Sequence, residues 1–304
     1  MIPRPPGDAA RMGGRMQTST GTPVDRRVPG AGISLHAREW DGDGPPVALL
    51  HGLASNARIW DGVASRLAAA GLRAVALDQR GHGESDQPGD GYDFATVGRD
   101  LQAALTALEL ERPLLVGHSW GANVALQYAA DRPGGVAGLV MVDGGFLAVA
   151  EWAGPDREAA RQLLAPPRFA VPLDEWLARA GRFAQDGAAG DGWVRDFLRA
   201  GVEVDDRGVA RARFHFDNHM QVVDALYDQR PERLFPLLAC PALLCPAGDD
   251  RLDAKRAAVE RALRSLRAGR VSWFADSVHD IPLQRPERLA AELARFAAEV
   301  SAGG

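Results

Sequence analysis

Lysine is almost absent from this 304-residue chain: of 35 basic residues, Lys255 is the one lysine and the rest are arginine. A phosphate-binding loop ending in Gly-Lys-Ser/Thr is thereby excluded. Cysteine is scarce too, with Cys240 and Cys245 only. They flank and enter one strand signal five residues apart, and odd spacing on a strand turns side chains to opposite faces. A mutual disulfide is therefore not expected, and reduced, buried thiols fit a cytoplasmic location. No stretch of about 18 apolar residues exists to span a membrane. The net charge of −5 gives no reason to expect nucleic acid as a partner. Residues 1–25 are rich in Gly, Pro, Arg and Ser/Thr and lack the apolar region of a secretory signal. They are expected to form a disordered leader, with Met12 and Met16 as alternative starts.

What the chain does carry is alternation. ISLHAREW (33–40) alternates apolar and polar residues, as a half-exposed strand does. VALL (47–50), RAVALD (73–78), PLLVG (113–117) and GLVMVD (138–143) are continuous apolar runs, which suit strands buried on both faces. Helical spacing fills the gaps at 56–71, 94–110 and about 119–130. This rhythm predicts parallel strands joined by helical crossovers, hence a doubly wound α/β sheet. The rhythm stops near residue 145. Residues 146–230 instead carry aromatic stripes at helical spacing, including Trp176, Phe183, Trp193, Phe197, Phe216 and Tyr227, and are expected to form an all-helical insertion. The α/β pattern resumes at PALLCPAG (241–248), with a helix over about 253–267, a strand at 271–276 and a last helix at 286–300. The expected division is a core of 26–145 and 231–304 around the 146–230 insertion.

Within this pattern, Gly117-His118-Ser119-Trp120-Gly121 stands between a buried strand and a helix. A G-x-S-x-G run in that context implies a tight strand-to-helix turn that lifts Ser119 clear of the sheet. A helix N-terminus beneath it favours negative charge. A serine hydroxyl needs a base, and the base needs an orienting acid.

With these residues the chain resembles the α/β-hydrolase family over roughly residues 30–144 and 232–302. LLHGLASN (49–56), DQRGHGESD (78–86) and HDIPLQRPERL (279–289) carry the likeness further. The resemblance implies a triad of Ser119, Asp250 and His279. It also implies an oxyanion hole from the backbone N–H groups of Leu53 and Trp120. For the acid, Asp249 and Asp143 are alternatives to Asp250. The imidazole of His51 is expected only to pack under its loop, and Asp78, Arg80 and Ser85 to tie the 78–86 loop together. His215 and His219, spaced i, i+4, lack a third ligand with motif spacing, so capping or a place in the pocket roof is expected over zinc.

The activity implied is hydrolysis of a small-molecule ester or lactone without a cofactor or metal. The alternatives are cleavage of a β-diketone-type carbon–carbon bond, or a receptor-like role with little turnover. A small-molecule substrate is the expected partner; nucleic acid and membrane are not, and the oligomeric state stays open.

Overall fold

The computed structural model describes residues 21–178, 192–248 and 252–302. In chain order it opens with strands β1 (Val24–Pro29), β2 (Ser34–Trp40) and β3 (Gly44–Leu50). A short 3-10 turn, Ala57–Trp60, leads into helix α1 (Asp61–Ala69), followed by β4 (Leu72–Asp78) and α2 (Phe94–Ala107). Then come β5 (Leu114–His118), α3 (Trp120–Asp131) and β6 (Gly138–Val142). Most of the expected leader lies outside the described residues, but Val24 and Asp25 already belong to β1 and pair with Glu39 and Arg38.

After β6 the chain leaves the sheet. It forms α4 (Val149–Trp152), α5 (Arg157–Leu164), β7 (Val171–Pro172), α6 (Leu173–Ala178), α7 (Trp193–Ala200), β8 (Val202–Val204), β9 (Val209–Ala212) and α8 (Phe216–Asp228). The expectation of an all-helical insertion is corrected here: β7, β9 and β8 make a small antiparallel sheet. The physical reason can be read in VEV-DDRG-VARA. Short apolar–polar alternation flanks a turn closed by Gly208 at φ +76°, a conformation glycine adopts without steric cost. The chain then returns through α9 (Pro231–Leu234) to β10 (Ala242–Cys245), α10 (Leu252–Ser265), β11 (Gly269–Val271), α11 (Ile281–Gln284) and α12 (Pro286–Ala302).

The main sheet runs β1-β2-β4-β3-β5-β6-β10-β11. β1 and β2 are antiparallel and every pair from β4 onward is parallel. Side chains alternate across it: Leu115, Leu139 and Leu244 join one apolar cluster, while Val116, Val140 and Leu243 join the other. Both faces are covered by helices, which is why these strands read as unbroken apolar runs. β6 and β10 pair directly although about a hundred residues separate them, so the insertion leaves and re-enters at neighbouring strands. Strand order reverses between β3 and β5. In open α/β sheets ligands bind beyond the strand C-termini at such a reversal.

Candidate active site

Three strand C-termini converge at that place. β5 delivers Ser119 on a bend with φ +53° and ψ −122°, a strained backbone for a residue with a side chain, costing on the order of 1–3 kcal/mol. The flanking glycines explain how the bend fits. A Cβ on Gly117 would lie 2.2 Å from the Gly121 carbonyl oxygen, and one on Gly121 would lie 2.4 Å from that of Leu50. The Ser119 N–H is anchored to the Val142 carbonyl at 2.9 Å. Ser119 is the N-cap of α3, so the Trp120 N–H belongs to the first turn, whose donors have no intrahelical acceptor. Leu53, just past β3, lines the same cavity as Ser119 and Trp120.

The loop after β11 brings in His279. Its Nε2 lies 2.9 Å from Ser119 Oγ, and its Nδ1 lies 2.7 Å from Asp143 Oδ2. A carboxylate only accepts, so Nδ1 carries the hydrogen and Nε2 is free to take the serine proton. The carboxylate on His279 is thus Asp143, at the end of β6, where sequence preferred Asp250. Asp250 and Asp249 lie outside the described residues. Asp143 was one of the alternatives read from the sequence, and the register shows how it comes near Ser119. His118 at the end of β5 pairs with Val142, so Asp143 sits beside Ser119 on adjacent strands, one position past the sheet.

Asp143 is fully enclosed at its side chain. Its Oδ1 accepts the Ala247 N–H at 2.9 Å, and Lys255 Nζ reaches Oδ1 and Oδ2 at 2.7 and 2.9 Å. Burial alone would raise the carboxyl's pKa. The hydrogen bond and charge of His279, then those of Lys255, outweigh burial and hold it well below the usual carboxylate range. Lys255 was missed as a site residue; its only signal in the sequence is being the one lysine among arginines.

His118 is a second residue that sequence left unassigned. Its Nε2 lies 2.9 Å from the His279 carbonyl oxygen, fixing the backbone of His279. Burial, then the neighbouring His279, push the His118 pKa down to about 4, so it is a neutral donor at pH 7.

The supporting residues fall where expected. His51 is fully buried and accepts the Gln79 N–H on Nε2 at 3.0 Å. Asp78 accepts from the Ala57 and Glu84 N–H groups and from His36, Ser85 Oγ donates to the Asp78 carbonyl, and Arg80 pairs with Asp100. His215 is exposed and precedes α8, whereas His219 is buried on the cavity wall. Among the described residues no group of three or more His, Cys, Asp or Glu side chains could hold a metal ion. No helix there is long and apolar enough to cross a membrane.

The cavity above Ser119 has a volume of about 280 Å³. Ser119, Asp143 and His279 line it, and Leu147, Leu164, His219 and Leu226 of the insertion form part of its wall. A larger cavity, about 380 Å³, opens at the strands' N-terminal ends beside Arg112, Cys240 and Arg270. Burial pushes the Cys240 thiol up to about 11, so it is protonated at neutral pH and no nucleophile is prepared there.

Comparison with known proteins agrees with this architecture. Residues 45–186 match the sequence pattern of the α/β hydrolase fold. The chain is 36% identical over 120 residues to 2-(acetamidomethylene)succinate hydrolase of Mesorhizobium japonicum, covering 40% of this chain and 42% of that protein. It is 38% identical over 113 residues to a non-heme chloroperoxidase of Streptomyces lividans, covering 36% and 41%. The matches span from 30% to 42% of the length of such curated relatives. The crystal structure of E-2-(acetamidomethylene)succinate hydrolase superposes with a TM-score of 0.75 at 25% identity, covering 91% of this chain and 99% of that one. With its sheet order, serine bend and inserted segment, the chain has the α/β-hydrolase fold.

Proposed function

We propose that this protein is a serine hydrolase cleaving a small-molecule carboxylic ester or lactone through an acyl-enzyme. The observation that carries the reading is the unbroken relay Ser119 Oγ–His279 Nε2, 2.9 Å, and His279 Nδ1–Asp143 Oδ2, 2.7 Å. In this reading Ser119 Oγ attacks the carbonyl carbon as His279 Nε2 takes its proton. Asp143 holds the imidazole in the required tautomer and stabilises the resulting cation. The N–H groups of Leu53 and Trp120 bind the oxyanion. Collapse of the tetrahedral intermediate breaks the bond to the alcohol oxygen, which leaves with the proton from His279. Water, deprotonated by His279, then attacks the acyl carbon and releases the acid and free Ser119. Each oxyanion donor is worth about 10²–10³ in rate. Neither an electron carrier nor a second substrate besides water is required, and the reading involves no nucleic acid or membrane.

The Ser119→Ala protein tests this. Turnover of p-nitrophenyl butyrate should fall by about 10³-fold or more, with the circular dichroism spectrum and melting temperature preserved. Retained turnover would end the serine-hydrolase reading.

A further inference from the structure

Asp143 is held by more than the triad histidine. Its backbone has φ +43°, a conformation that residues with a side chain seldom adopt, so contacts must keep the carboxylate in place. His279 Nδ1 and the Ala247 N–H supply two of them. Lys255 of α10 supplies another, with Nζ 2.7 Å from Oδ1 and 2.9 Å from Oδ2. The Lys255 side chain is 3% exposed and that of Asp143 is fully enclosed. Oδ2 thus receives both the imidazole N–H and the ammonium, which puts the charge of Lys255 two hydrogen bonds from the His279 ring. Buried charges so close are weakly screened. With Lys255 in place the carboxylate is already neutralised when His279 takes a proton, so that proton adds an uncompensated positive charge. Without Lys255 the same proton would neutralise a lone carboxylate and bind more readily. The other described neighbours of His279 differ from Lys255 in charge. His118 of β5 places its ring 4.9 Å from that of His279, and burial leaves it neutral at pH 7. His219 on the cavity wall is neutral for the same reason. Asp280, next on the same loop, is acidic. Residues 249–251, ahead of α10, lie outside the described residues.

We propose that Lys255 is a positioning residue for the reaction: its ammonium fixes the Asp143 carboxylate and offsets its charge, so that His279 stays free of its proton, and able to act as base, at lower pH than a lone carboxylate would allow. This rests on the hydrolase reading and adds a control on its pH range. Lys255 acts through Asp143 and exchanges no proton in the reaction.

Lys255→Met removes the ammonium, and Lys255→Gln keeps a hydrogen-bond donor without the charge. In both, the acid limb of the kcat/KM–pH profile for p-nitrophenyl butyrate should move up by about 1–3 pH units, with a plateau still reached at alkaline pH. A limb that stays in place, whether or not activity falls at every pH, would mean that Lys255 only supports the fold and would overturn the proposal. Histidine NMR of the Ser119→Ala protein needs no turnover and separates the two readings. The His279 signal, assigned by its loss in Ser119→Ala/His279→Gln, should titrate about 1–3 pH units higher in Ser119→Ala/Lys255→Met. An unchanged midpoint overturns the Lys255 assignment even if the wild type hydrolyses esters. A wild type without turnover, but with that NMR shift, sinks the hydrolase reading alone. If neither Lys255 variant folds, the wild type decides. Lys255 is the one lysine of the chain, so isotope-labelled lysine gives a single set of side-chain signals. These should show an inflection at the pH where His279 titrates and lose it in His279→Gln. Lysine signals blind to His279 would overturn the proposal.

Discussion

The strand ends and the inserted segment build the same cavity by different means. At the strand ends, position is set by backbone and buried charge. Gly117 and Gly121 leave no room for a side chain, Asp143 is enclosed by His279, Lys255 and a backbone N–H, and His118 holds the carbonyl of His279. The insertion offers apolar wall and is pinned to the core by isolated polar contacts. Asn218 bonds Tyr92 and the Pro88 carbonyl, Gln87 bonds the Arg213 carbonyl and the His215 N–H, and Gln229 exchanges bonds with Asn123. The contrast teaches a division of labour. Groups that need placing within a fraction of an ångström sit on strand ends, and the inserted segment supplies apolar wall above them.

The sharpest way to break this comparison is at the acid. Asp143→Asn should lower kcat/KM for p-nitrophenyl butyrate by about 10³–10⁴-fold, because an amide cannot stabilise the histidine cation and favours the wrong tautomer. Asp250→Asn should stay within about tenfold of wild type. The opposite result would return the acid to the position that sequence preferred.

A smaller effect is expected from the insertion. Leu164→Phe enlarges a cavity-lining side chain and should shift the kcat/KM ratio between p-nitrophenyl acetate and octanoate toward acetate by about 10- to 200-fold, the range for one or two misfitted methylenes. An unchanged ratio would mean that the insertion does not shape the site.

The smallest effect concerns stability against pH. Burial lowers the pKa of His51, His82, His118 and His219. For each, the unfolded chain takes up a proton below about 6.5 while the folded chain resists it. The stability they contribute is complete above that pH and is lost as pH falls, for His118 down to about 4. His36 works in the opposite sense: Asp78 raises its pKa against the cost of burial, so its contribution is present at low pH and lost as pH rises. Four groups against one should give a melting temperature that falls from pH 7.5 to 5. A flat or rising profile would contradict the burial of these rings.

How much of this was legible in the sequence follows the same divide. VALL, PLLVG and GLVMVD announce strands because burial on two faces demands apolar side chains at every position. Ser119 and His279 are legible because a glycine-flanked turn and a histidine before the last helix mark them. Asp143 was only an alternative, since the sequence does not say which of two strand ends lies nearest His279; the 2.7 Å contact between Asp143 Oδ2 and His279 Nδ1 is visible only in the structure. Lys255 gave no motif because one buried ion pair leaves no spacing pattern. The β8–β9 hairpin was missed because seven strand residues among aromatic helical stripes are a weak signal, although Gly208 marks its turn. His219 was noticed for its spacing to His215, yet the two residues differ in surroundings: His215 is exposed, and His219 is buried with its Nε2 on the Leu164 carbonyl.

Intact-protein and peptide mass spectrometry during turnover of a slowly hydrolysed ester tests the central claim most directly. The expected result is an acyl mass added to the peptide containing Ser119, formed and discharged at rates matching turnover, and absent from Ser119→Ala. Steady hydrolysis by the wild-type protein with the Ser119 peptide unmodified at every time, and undiminished in Ser119→Ala, would contradict it.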